Sequence, residues 1–121
     1  MSLTTKMLEN AGAGVVLSTD VGQFGNVVTP NFANGILYTQ RIRDRSGLVQ
    51  IAAQAGLTGD VQVQVRPMPG EAWLTILTVT QADWNADPNF TVAKVITMFP
   101  EMRLRSNITA GAPSVDAWIT E

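Results

Sequence analysis

Between Asp60 and Arg66 the chain alternates without a break, with Val61, Val63 and Val65 set between Gln62, Gln64 and Arg66. A period of two puts the valines on one face of an extended segment and the amides and guanidinium on the other. The segment is therefore a strand with one buried and one wetted face. Turn chemistry follows at Pro67-Met68-Pro69-Gly70-Glu71, and then Ala72–Thr80, a run of β-formers with no helix breaker. Together they read as a hairpin. A lone hairpin is marginal in water, so its apolar face needs more strands laid against it.

The rest of the chain supplies them. Ala13–Thr19, Ile36–Arg43, Gly47–Gln54, Thr91–Met98, Met102–Ile108 and Val115–Thr120 are short apolar or β-branched runs separated by Gly, Pro, Asn and Asp. No stretch of about twelve residues carries helical periodicity, and the one helical element expected is a turn near the N-terminus, the polar excursion Gln81–Asn89 having room for at most one further turn. The expected fold is mainly β, an antiparallel β-sandwich or jelly roll of about seven to nine short strands. Residues 1–12 are expected to form an extended N-terminal arm and residues 13–121 a single sandwich domain. Val21–Gly35, with Gly22, Gly25, Asn26, Pro30, Asn31, Asn34 and Gly35, reads as a long loop holding at most a short edge strand near Asn26–Thr29.

Composition narrows the chemistry. At 121 residues there is length for one domain, which buries roughly two-thirds of the surface its unfolded chain exposes. With no Cys and no His, disulfides, thiolate and Ser-His nucleophiles, imidazole bases and the common zinc ligand sets are excluded. The expectation is a protein that is not an enzyme and holds no cofactor. Charged residues make up 15% of the chain and the net charge is −2, which gives no general attraction to nucleic acid or anionic membranes. No window reaches the length of an apolar membrane span. The first ten residues lack the order of a secretory signal, and the chain is expected to be made in the cytoplasm.

Several residues are candidates for contact or ligand roles. Asp83, Asn85 and Asp87 space three oxygen ligands as calcium loops begin, but Pro88 and Lys94 stand where such loops need Gly and Glu. An Asx-turn loop is the reading preferred there. Trp84 in this polar loop is expected to be the exposed tryptophan, so Asp83, Trp84 and Asp87 form a candidate ligand loop for a sugar or cation. Trp73 and Trp118 lie within strands, as core or interface residues. Asn10–Gly14 is Gly-rich before a strand, the wrong side for a phosphate cradle. Arg41 and Arg43 alternate along one strand, as Arg103 and Arg105 do along another, and each row reads as a solvated face or subunit contact. Among the acids Asp60, Glu71, Asp83 and Asp87, nothing pairs two as glycoside hydrolysis requires. Leu3, Met7 and Leu8 in the arm, and Phe24, Val27 and Phe32 in the loop, are apolar residues in polar segments that need covering.

The second half of the chain carries a broader pattern. Val61–Arg66, the Pro/Gly turn, Ala72–Thr80, Phe99-Pro100-Glu101-Met102-Arg103-Leu104-Arg105 and Ser114–Thr120 together resemble small β-sandwich structural proteins of tailed bacteriophages. In those chains one hairpin carries an aromatic just after a short turn, and a second hairpin follows an aromatic-Pro corner. The resemblance spans residues 59–120. It implies a virion protein made in the host cytoplasm: a capsid decoration or cement protein that forms a homo-oligomer, expected to be a trimer, on the major capsid protein or other virion proteins. A tail or head-fibre accessory protein that binds carbohydrate is the alternative it leaves open. It carries over no catalytic or ligand residue, and neither nucleic acid nor membrane is among the implied partners.

Overall fold

The computed structural model describes residues 4–14, 23–24, 32–33, 36–38, 46–68, 70–99, 101–110 and 114–120. The described residues form β1 (Thr4–Ala11), β2 (Gln23–Phe24), β3 (Phe32–Ala33), β4 (Ile36–Tyr38), β5 (Ser46–Ala52), β6 (Thr58–Arg66) and β7 (Leu74–Thr80). After a short helix α1 (Gln81–Asn85) come β8 (Thr91–Thr97), β9 (Glu101–Ala110) and β10 (Val115–Thr120). They make two antiparallel sheets, ordered β2-β1-β10-β5-β8 and β3-β4-β9-β6-β7. The architecture is mainly β and fits a β-sandwich.

Alternation builds the core. Val61, Val63 and Val65 of β6 are fully buried, and so are Met102, Leu104 and Ile108 of the paired strand β9. The facing sheet contributes Val49 and Ile51 from β5 and Val115, Ala117 and Ile119 from β10. Each of these Val, Leu, Ile and Met side chains contributes about 1.5–3 kcal/mol relative to exposure. The outward-phase residues of β10, Asp116, Trp118 and Thr120, are half-buried.

Within the segment expected as an extended arm, Thr4–Ala11 is strand β1, paired with β10 on one side and β2 on the other. Its register shifts between Lys6 and Leu8, so Met7 and Leu8 both reach the core, with 0% and 2% exposure. A bulge lets neighbouring residues face the same way, which strict alternation forbids. This is why the segment does not show a strand's alternation in the sequence. Short strands Gln23–Phe24 and Phe32–Ala33 occur where a long loop was expected. The edge strand expected near Asn26–Thr29 and the strand expected over Ala13–Thr19 lie largely outside the described residues.

Candidate functional site

Two surfaces stand out. The first is the flank where both sheets end. Among the described residues, β7 closes one sheet and β8 the other, and α1 joins them across the same side. Between the two edges lies an open groove of about 330 Å³ lined by Ile76, Leu77, Val95, Ile96, Thr97 and Phe99. Leu74, Ile76 and Val95 are exposed beside it, Val95 at 73%. The edges differ in their protection. On β8, Lys94 shares its face with the buried Val92 and Ile96 yet is itself exposed, a charge that discourages another strand from pairing there. Strand β7, Leu-Thr-Ile-Leu-Thr-Val-Thr, carries no charge and no proline, and a shift in its pairing with β6 leaves Ile76 without an opposite residue.

The second surface is the outer face of the β9-β6-β7 sheet. Strand register sets Glu101 opposite Arg66, Arg103 opposite Gln64 and Arg105 opposite Gln62. Arg66 reaches the Glu101 carboxylate with Nε and a terminal nitrogen, each at 2.8 Å, and Glu101 is almost fully buried by the pairing. Arg103 donates Nε–H to Gln64 Oε1 at 2.7 Å, while the Gln64 amide donates to Thr75 Oγ1 at 3.2 Å. The guanidinium groups of Arg66 and Arg103 sit 4.3 and 4.4 Å from the centre of the Trp73 ring. Burial, with Arg105 and Arg66 close by, pulls the Arg103 pKa below its usual value, so this cation is held where its charge is under strain.

The candidate ligand loop is differently arranged from its sequence reading. Trp84 is fully buried in the core rather than exposed. Helix α1 packs on β6, β7 and β8, and its single buried side chain is the indole. A polar loop hid this, because one turn of helix is enough to swing one residue of five inward. Asp83 accepts hydrogen bonds from the Thr80 backbone N–H at 2.8 Å and the Thr80 hydroxyl at 3.1 Å, at the start of α1. The Asp87 carboxylate accepts the backbone N–H groups of Asn89 at 2.8 Å and Thr91 at 3.2 Å. Both acids are engaged in turn and capping bonds, as an Asx-turn loop requires. Among the described residues no group of three or more acidic side chains could hold a metal ion.

Met7 and Leu8, read as interface residues, are core residues of their own chain. Leu3, Val27, Arg41 and Arg43 lie outside the described residues, and so do the side chains of Phe24 and Phe32. Trp118 faces outward from β10 with the Lys6 ammonium 5.5 Å from its ring centre. Sequence reasoning missed Trp73 as the organiser of a charged face. Its signal was present: the outward rows Gln62, Gln64, Arg66 and Arg103, Arg105 belong to strands that the register sets side by side. No protein-family model, curated protein or solved structure matches this chain.

Proposed function

We propose that this chain is a non-enzymatic structural subunit that works by self-association, as a decoration or cement protein on the capsid of a tailed-phage virion. One observation supports self-association above the others: an uncharged strand, β7, that ends its sheet among the described residues, beside an apolar groove with Leu74, Ile76 and Val95 exposed. Contiguous exposed apolar surface beside an uncharged sheet edge marks a contact site. A second copy approaches β7 without like-charge repulsion, because that strand has no charge to repel. Where one copy's flank meets a different surface of the next and the rotation closes, the contact builds a ring, and the resemblance sets the expected number at three.

The virion assignment rests on the resemblance. The segments that carry it fold as β6, β7, β9 and β10, which include three adjacent strands of one sheet. Mechanistically such a subunit adds contact area, at about 25 cal/mol per Å² of apolar surface, multiplied over many copies on the shell. The alternative of a carbohydrate-binding tail accessory loses its stacking residue, since Trp84 is buried. The test is protein mass spectrometry of purified particles from the host that makes this chain. The expected result is a fixed stoichiometry with the major capsid protein; recovery in the soluble fraction alone would overturn the assignment.

A further inference from the structure

The Trp73 face has a property that self-association through the β7–β8 flank does not use. Arg66, Arg103 and Arg105 stand together there, while the other described cations, Lys6 and Lys94, belong to the other sheet. Glu101 neutralises Arg66. Arg103 spends Nε–H on Gln64, and the Arg105 side chain makes no ion pair or hydrogen bond among the described residues. Asp60 stands at the far end of the row, opposite Asn107, and forms no ion pair with Arg105. Two arginines two residues apart therefore stand on the outer face of one strand with neither in an ion pair among the described residues, the first of them held by Trp73 and Gln64.

We propose that this face docks an acidic segment of a partner protein, whose carboxylates bind Arg103 and Arg105. The arginine fork matches a carboxylate in two parallel hydrogen bonds, and Arg103 is already ordered, so little side-chain freedom is lost on binding. The face displays this chemistry once already, in the grip of Arg66 on Glu101. Burial and the neighbouring cations leave Arg103 short of negative charge, which a carboxylate supplies. A nucleic acid fits less well. The Trp73 ring that would stack a base is already occupied by the Arg66 and Arg103 guanidinium groups.

The test is fluorescence anisotropy of labelled decaglutamate against the full chain, with labelled decathymidylate as the competing polyanion. Decaglutamate is expected to bind saturably, to weaken with added salt, and to be preferred over decathymidylate. Arg105→Gln, a change at a half-exposed residue that leaves the fold intact by circular dichroism, is expected to weaken binding about tenfold. Arg103→Gln should weaken it at least as much. Absence of decaglutamate binding, equal affinity in Arg105→Gln, or tighter binding of decathymidylate would each overturn the proposal.

Discussion

Gly59 is the position where the pairing of β6 with β9 leaves no room for a side chain. Its φ is +136°, in the region that favours glycine. A Cβ built there overlaps the Asn107 carbonyl oxygen and lies 2.8 Å from Ile108 Cα. Both are backbone atoms of the partner strand, so no side chain can swing aside to relieve the clash. Overpacking costs about 1–3 kcal/mol, and the dihedral adds about 1–3 kcal/mol. Gly59→Ala is therefore expected to lose about 4 kcal/mol, a large part of the 5–15 kcal/mol that holds a typical domain. At about 4 °C per kcal/mol the Tm falls by about 15 °C. Two controls separate the terms. Gly56 has φ +84° with nothing near its Cβ, so Gly56→Ala should cost about 1–2 kcal/mol from the dihedral alone. Gly12 has neither constraint, and Gly12→Ala should be neutral or stabilise by up to about 1 kcal/mol. Urea unfolding followed by tryptophan fluorescence, at matched protein concentration because self-association shifts apparent stability, reads all three. Gly59→Ala within about 1 kcal/mol of Gly56→Ala would refute the β6–β9 register.

Glu101→Gln is expected to cost about 2–3 kcal/mol by thermal unfolding, since it leaves a largely buried Arg66 without its carboxylate. Ser106 is fully buried and its hydroxyl has no partner among the described residues; Ser106→Ala should therefore be neutral or stabilising by up to about 1 kcal/mol in the same assay. The Thr80 backbone N–H holds the Asp83 carboxyl below its usual pKa of 3.8. A depressed carboxylate stabilises the fold above its unfolded pKa and loses that contribution as pH falls through the lower folded value. Urea midpoints taken at neutral pH and below that range should fall further for the wild type than for Asp83→Asn. In the double variant Trp73→Phe/Trp118→Phe, the remaining Trp84 should emit at short wavelength and resist acrylamide quenching; strong quenching would place it at the surface instead.

The strands were legible wherever burial is one-sided. β6, β7, β9 and β10 alternate or run apolar between turns, and their positions follow from pattern to within a few residues. β1 was not legible, because a bulge turns Met7 and Leu8 inward together and the segment then reads as polar and irregular. Trp84 misled for a related reason: its neighbours are polar, but the tertiary position of one helical turn decides which of them is covered. The charged face needed register. That Arg66 meets Glu101 and Arg103 meets Gln64 depends on how β6 slides against β9, and a slip of one residue would send those side chains to the core. The apolar flank was likewise invisible, since the sequence does not say which strands end their sheets.

Self-association is the central claim, and absolute solution mass tests it most directly. Light scattering on the full chain at micromolar concentration should give about three times 13.0 kDa. Ile76→Glu and Val95→Glu, each placing a charge on the flank, should return the mass to that of one chain. A wild-type mass of 13.0 kDa across the accessible concentration range, unchanged by either substitution, would contradict the account.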